Sequence, residues 1–137
     1  MIVCVSGSNK DKRVIAENAV IWSIKKLGLS RLSSLNIDVK LKKMKEGEFG
    51  YCSVGDTIRE FCLDINSNVS IKDLVATIIH EMVHVRQFAR KEMDTDGMRW
   101  KSRNIPENTD YMDLPWEKEA YRLEEKYVKE IWESNLI

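Results

Sequence analysis

Two histidines and a glutamate stand at a spacing that suits metal chemistry: His80, Glu81 and His84, in the run H-E-M-V-H. Residues four apart on a helix share one face, about 5–6 Å apart, so both imidazoles can reach one ion. In the pattern H-E-x-x-H the two His bind zinc and the Glu is the general base. A histidine on an apolar helix face is more commonly a hydrogen-bonded core residue. That alternative leaves Glu81 unexplained, because a buried carboxylate without a partner is costly.

The stretch that carries these residues, Ser70 to Phe88, has the pattern of a buried helix. Ser70, with Asp73 three residues later, resembles a capping box that satisfies the first free backbone N–H groups. Apolar residues then cover a wide surface, which is typical of a helix buried on most sides. They are Leu74, Val75, Ile78, Ile79, Met82, Val83 and Phe88.

A catalytic zinc site needs three protein ligands and an open position for water. The chain has two His, both used by this motif, so the third ligand has to be a carboxylate or a Cys. This excludes zincin families with a third His, among them the metzincins and the SprT-like proteases. The carboxylate candidates concentrate in a predicted last helix, which starts at Pro115. Its apolar stripe consists of Trp116, Ala120, Leu123, Tyr127 and Ile131.

The run H-E-M-V-H-V-R-Q, followed about thirty residues later by L-P-W-E-K-E-A-Y, resembles a small gluzincin, the zincin class whose third ligand is Glu. The resemblance implies Zn²⁺ on His80, His84 and Glu117, because Glu117 and Ala120 match the family pattern E-x-x-A. Glu119 is the alternative ligand. It lies about 200° around the helix from Glu117, so only one of the two glutamates can bind the ion.

The resemblance covers Ile58 to Tyr127, which is also similar to small metallopeptidases of phage and prophage type. It implies zinc-dependent hydrolysis of a peptide bond, with Glu81 as general base. The oxyanion needs a further donor, and without a third His we expect Tyr111 or Tyr121; core packing is the alternative for both tyrosines. Tyr121 also takes the place where the family has an acidic residue behind the first His. The possible substitutes are Asp110, Asp113 and Glu124.

Two other functions stay open on the sequence. Cys62, 18 residues before His80, is a possible third ligand of a deformylase-like amidase, although the N-terminal glycine-rich motif of deformylases is absent. The other function is a zinc-stabilised binding or regulatory module with little or no peptidase activity. Glu81 distinguishes an enzyme from such a module, because a structural site has no need of a base and would use a fourth protein ligand.

The remaining pattern predicts one α+β domain over residues 1–137. A strand at Ile2 to Val5 precedes a helix that Ser8 or Asn9 caps and that ends at Leu27. Alternation at Leu35 to Leu41 predicts a strand. The pattern predicts a hairpin formed by Tyr51 to Val54 and Ile58 to Ile65. It predicts a loop or short hairpin over 89–109. We expect a zincin-like arrangement, with a small mixed or antiparallel sheet packed on the metal-binding helix and a ligand-bearing C-terminal helix.

Composition limits the partners. The 22 basic and 22 acidic residues give no net charge, so we expect no nucleic-acid or membrane partner. Three scattered Cys predict neither a cysteine zinc knuckle nor a disulfide framework. The absence of a signal or transmembrane pattern favours the cytoplasm, the host's if a phage encodes the chain. We expect a monomer and a peptide or protein substrate lying as an extended strand along 58–65.

Overall fold

Three helices and a mixed β-sheet make up most of the computed structural model, which describes residues 1–94 and 98–137. The main elements are β1 (Ile2–Gly7), α1 (Lys10–Lys26), β2 (Asn36–Lys42), β3 (Gly50–Val54), β4 (Glu60–Asn66), α2 (Ile71–Ala89) and α3 (Pro115–Glu133). Between α2 and α3 lie β5 (Met93–Asp94), β6 (Arg99–Trp100), β7 (Arg103–Asn104) and a 3₁₀ turn, Tyr111–Asp113. The predicted class, a small α+β domain, is confirmed. Of the helices described, none has the length and hydropathy of a membrane span.

The four longer strands form one sheet in the order β1-β2-β4-β3. The pairs β1–β2 and β2–β4 are parallel, and β3 runs antiparallel to β4. The alternation of side chains along β2 and β4 decides which face of the sheet is buried. Ile37, Val39 and Leu63 are fully buried, while their neighbours along each strand point to the other face and are partly exposed. Helices α1 and α2 pack on the buried face, α1 against β1 and α2 against β3 and β4.

Helix α2 lies at the centre of the molecule. It begins as the sequence predicts, because Ser70 Oγ accepts a hydrogen bond of 3.1 Å from the backbone N–H of Asp73. It packs against α1, α3 and three strands, β3, β4 and β5, which explains why its apolar residues extend around most of its surface. Any polar side chain that α2 carries towards these neighbours is therefore held in a buried environment.

Strand β4 is paired along both edges, which corrects one expectation. The sequence analysis placed an extended substrate along 58–65, but β4 (Glu60–Asn66) pairs with β2 on one side and with β3 on the other. Its backbone hydrogen-bonding groups are therefore committed to the sheet. Strand β3 stands at the end of the strand order and contacts α2, so β3 is the edge strand beside the metal-binding motif.

The stretch predicted as a loop or short hairpin, 89–109, includes 95–97, which lie outside the described residues. Its described part contains a small antiparallel sheet, β5-β6-β7. Trp100 of this sheet is buried in a second apolar cluster with Met93 and Trp116. Since Trp116 belongs to the first turn of α3, this cluster anchors the start of the helix that carries Glu117.

Candidate metal centre

Three buried side chains, His80, His84 and Glu117, converge on one point between α2 and α3. Nε2 of His80 lies 3.0 Å from Glu117 Oε1, and Nε2 of His84 lies 3.2 Å from the same carboxylate. One possible ligand atom from each residue lies within 4.8 Å of the others. With metal–ligand bonds of about 2.0–2.1 Å, the ligand atoms of a tetrahedral site stand about 3.3 Å apart. The group is therefore able to hold a single metal ion.

Helical periodicity positions these three groups. His80 and His84 are one turn apart on α2, and their ring centroids are 5.0 Å apart. Pro115 starts α3 and places Glu117 in its first turn. Ala120, one turn later, is fully buried, and so small a side chain lets α3 approach α2 closely.

The outer nitrogen of each imidazole has a partner of its own. Nδ1 of His80 lies 3.0 Å from Glu124 Oε1, and Nδ1 of His84 lies 2.7 Å from Gln87 Oε1. Both partners accept a hydrogen bond from Nδ1, so in each imidazole Nε2 is the nitrogen directed at Glu117 and the one that could bind a metal after losing its proton, as is typical of metal-binding histidines. Of the three acidic residues suggested for the support of His80, the structure places Glu124 there.

Gln87 is a site residue that the sequence analysis missed. Its side chain is fully buried. While its Oε1 accepts from His84, its Nε2 donates to the carbonyl of Trp116 at 3.0 Å and to Glu119 Oε1 at 3.1 Å. Gln87 thus connects His84 to the start of the helix that carries Glu117, the third member of the group. The available signal was its spacing, three residues after His84, which puts the two side chains on one helix face.

Glu119 and Cys62, the alternative third ligands, lie outside the convergent group. Glu119 faces away from Glu117, towards Gln87 and Arg86, whose Nη2 is 3.5 Å from Glu119 Oε1. Cys62 alternates with the buried residues of β4, so its side chain lies on the sheet face that α2 does not cover. The structure therefore does not bring Cys62, the alternative ligand of a deformylase-like site, into the convergent group.

Two tyrosines lie beside the cluster. The hydroxyl of Tyr111 donates to Glu117 Oε1 at 3.0 Å, and the ring of Tyr121 packs edge-on against His80 with centroids 4.5 Å apart. Tyr111 is 54% exposed and Tyr121 38%, so neither is a core residue. Burial and a hydrogen bond with Tyr121 raise the pKa of Tyr111, which keeps its hydroxyl protonated and able to donate at neutral pH.

The ionisable groups of the cluster shift one another's pKa values. Burial by itself would lower the pKa of His80, but hydrogen bonds to Glu117 and Glu124 outweigh it and raise the pKa to about 9. The same bonds from His80 and His84 outweigh the burial of Glu117 and lower its pKa to about 2. The carboxylate therefore stays ionised, and the two imidazoles lie in a field that attracts a cation.

Glu81 is buried, with 7% of its surface exposed, and makes no hydrogen bond to another described residue. Burial raises the pKa of its carboxyl group, and the neighbouring His84 and His80 oppose that rise. Glu81 lines two cavities, one on each side of the cluster, so its carboxylate faces the space a bound molecule would occupy.

Comparison with known proteins adds no relative. The chain matches no protein-family model, no curated protein and no solved structure. A function has to be argued from the cluster of His80, His84 and Glu117 and from the cleft around it.

Proposed function

We propose that the protein is a zinc-dependent peptidase of the gluzincin type, with His80, His84 and Glu117 as ligands. The observation that carries the proposal is the pairing of this buried cluster with Glu81, a carboxylate that has no hydrogen-bond partner among the described residues. A structural zinc site has four protein ligands and needs no base, whereas a catalytic site has three ligands and a base nearby. Imidazole and carboxylate ligands in a group of three suit zinc.

Glu81 is the proposed general base. Zinc in such a site supplies a Lewis acid and lowers the pKa of water towards neutrality. Glu81 accepts the proton of the attacking water and then delivers it to the leaving amine. Its raised pKa suits both roles, because proton transfer is most efficient when the pKa of the catalytic group lies near the working pH.

Tyr111 and Tyr121 are the proposed donors to the tetrahedral oxyanion. Both lie at the edge of the cluster, and the Tyr111 hydroxyl is already within hydrogen-bond distance of the ligand Glu117. A donor fixed where negative charge develops stabilises the transition state by several kcal/mol, typically about 3–4. Of the two, Tyr111 is the stronger candidate because its hydroxyl reaches the ligand directly.

Strand β3 is the proposed docking edge for the substrate backbone. Its residues Gly50, Tyr51 and Cys52 line the cavities at Glu81, and β3 stands at the edge of the sheet. An extended peptide can add to an exposed strand edge through main-chain hydrogen bonds. The proposed substrate is therefore an extended segment of a protein, lying along β3 instead of along 58–65.

The test compares the wild type with Glu81→Gln on an unstructured protein and on a peptide library, with zinc measured in the same samples. Gln keeps the shape of Glu81 but accepts no proton, so we expect unchanged zinc content and a loss of about 10²–10⁴-fold in rate. Glu125→Gln, on the exposed face of α3, is the matched control. Equal cleavage by wild type and Glu81→Gln would refute the proposed base, and full zinc without cleavage would indicate a binding module.

A further inference from the structure

A cleft of two adjoining cavities passes over Glu81. The larger, about 500 Å³, has His80 in its wall and is called here the His80-side cavity. The smaller, about 260 Å³, has His84 in its wall and is called the His84-side cavity. Both are lined by Gly50, Tyr51, Glu81 and Tyr111. A segment lying along β3 therefore has side-chain space on both sides of the proposed base.

The His80-side cavity is acidic. Glu48 and Asp73 line it in addition to Glu81 and Glu124, and the basic residue among the described lining residues is His80, which is hydrogen-bonded to Glu117 and Glu124. Neither Glu48 nor Asp73 has a side-chain hydrogen bond or ion pair with another described residue. Asp73 alone has a local explanation, since acidic residues in a first turn stabilise a helix; Glu48 has none. Glu81, a buried residue without a hydrogen bond to another described residue, faces the same space, which marks it as a place for a ligand.

Aromatic rings form much of the remaining wall of the His80-side cavity. Phe49 is 49% exposed, Tyr51 54% and Tyr121 38%, a high exposure for large aromatic side chains grouped in one place. A lysine or arginine side chain is attracted to the electron-rich face of an aromatic ring. Carboxylates beside aromatic faces thus suit a long cationic side chain, whose stem packs on the rings.

The His84-side cavity is apolar by contrast. Phe88, Met93, Trp116 and Cys52 line it, and the acidic and basic lining residues in the described structure are Glu81, Glu117 and His84, all assigned to the site itself. Burial raises the pKa of the Cys52 thiol well above its ordinary value, so Cys52 is neutral there. This cavity suits an apolar side chain.

We propose, on the basis of the function proposed above, that the cleft selects polypeptide segments with a lysine or arginine in the His80-side cavity and an apolar residue in the His84-side cavity. Glu48 and Asp73 determine the preference for the cation. Because both carboxylates are solvated in part, the attraction is screened by salt, and the preference weakens as ionic strength rises.

The test measures kcat/KM for quenched fluorescent peptides that differ in one residue, Lys, Leu or Glu, on either side of the cleaved bond. We expect Lys to be preferred on one side only. Asp73→Asn and Glu48→Gln should each lower the Lys-to-Leu ratio by about two- to fivefold, the range for partly exposed charge pairs. Asp11→Asn is the matched control, because Asp11 is the acidic residue in the first turn of α1 and is not among the residues lining either cavity.

A binding measurement separates failure of this inference from failure of the peptidase proposal. Zinc-loaded Glu81→Gln protein is titrated into labelled peptides of matched sequence with Lys or with Glu, and binding is followed by fluorescence anisotropy. Tighter binding of the Lys peptide, reduced by Asp73→Asn and Glu48→Gln, supports the cation pocket even if no peptide is cleaved. Cleavage or binding without a preference for Lys, or a preference that both variants retain, overturns the inference and leaves the peptidase proposal standing on its own test.

Discussion

Gln87 combines complete burial with several hydrogen bonds. It is fully buried, and its amide has three partners: His84, the backbone of Trp116 and Glu119. An amide in this position orients the imidazole of His84 so that Nε2 points to Glu117, where a metal ion could lie between them. It also fixes the position of α3 relative to α2, since its Nε2 donates to the carbonyl of Trp116 in the first turn of α3.

Replacing Gln87 should weaken metal binding while leaving the ligands intact. We expect Gln87→Leu to raise the Kd for zinc by about 10–100-fold, the typical cost of losing a hydrogen-bond partner behind a ligand histidine. Gln87→Glu, which keeps an acceptor for His84, should recover part of the loss. Competition with a chromophoric chelator measures both values. An unchanged Kd in a folded Gln87→Leu protein would show that His84 needs no such support.

Glu117 and Glu119 can be separated by substitution. Glu117→Ala should abolish stoichiometric zinc binding, because two imidazoles alone hold the ion weakly. Glu119→Ala should retain one equivalent, since Glu119 lies against Gln87 and Arg86 and outside the cluster. Metal analysis after gel filtration checks both. Retention of zinc by Glu117→Ala, or its loss from Glu119→Ala with the fold intact, would reverse the assignment.

The residues of the site differ in how much the sequence reveals about them. His80, Glu81 and His84 follow from one short motif because a helix fixes their geometry. Glu117 needed a family resemblance, since its partners lie more than thirty residues earlier and no local rule connects them. Glu124 was one of three candidates, although its position seven residues after Glu117 places both on one face of α3. Gln87 resembles any polar residue near a helix end until its burial is known.

At the scale of elements, the close approach of β3 to α2 shapes the cleft. Gly50 lies at the contact: a Cβ there would stand 2.8 Å from Thr77 Cγ2 and 2.9 Å from the carbonyl oxygen of Asp64. Neither distance is tolerated, and the backbone oxygen cannot move away without disturbing the β3–β4 pairing. Glycine at this position therefore lets the edge strand lie against the helix that carries the ligands.

Gly50→Ala should consequently displace β3. We expect the free energy of unfolding to fall by about 1–3 kcal/mol, the usual cost of overpacking, and peptide cleavage to fall by more than the stability loss alone explains. Chemical denaturation measures the first effect and kcat/KM the second. Ser53→Ala, at an exposed position of β3, is the control. A Gly50→Ala protein of unchanged stability would mean that the strand and helix are less tightly apposed than their distances indicate.

The order of the strands in the sheet could not be predicted from the sequence. The pattern predicted the β3–β4 hairpin, but β2 and β4 alternate alike, and nothing local indicates that they pair with one another in parallel. That pairing joins segments that lie far apart in the chain and puts β4 inside the sheet. The expectation of a substrate along 58–65 failed for this reason. The two-residue strands β5 to β7 are too short to carry any periodicity.

At the scale of the whole molecule, the cluster makes the stability of the metal-free protein depend on pH. Bound metal should reverse the direction of that dependence. The pKa of His80 is raised from 6.5 to about 9, so the stability it contributes is complete below 6.5 and is lost as pH rises through about 9. The pKa of Glu117 is lowered from 4.5 to about 2, so its contribution is complete above 4.5 and is lost as pH falls through about 2. The raised pKa of His84 adds to the loss as pH rises above 6.5, whereas the raised pKa of Glu81 makes its contribution fall already from pH 4.5 upward.

As far as His80 and Glu117 decide, chelator-treated protein should be most stable between about pH 4.5 and 6.5, and its Tm should fall towards pH 9; Glu81 favours the acidic end of that range. Zinc competes with protons for the same imidazoles, so its affinity, and with it the rise in Tm that it produces, should grow with pH over that range. Thermal scans with chelator and with zinc, from mildly acidic to mildly alkaline pH, measure both trends. Glu117→Ala, scanned alongside, lacks the hydrogen bonds of the cluster, so the pH dependence that it retains comes from groups elsewhere in the chain and can be subtracted. A zinc-induced rise in Tm that stays constant or shrinks with pH would show that protons and metal do not share His80 and His84, and the cluster would then have to be a hydrogen-bonded core.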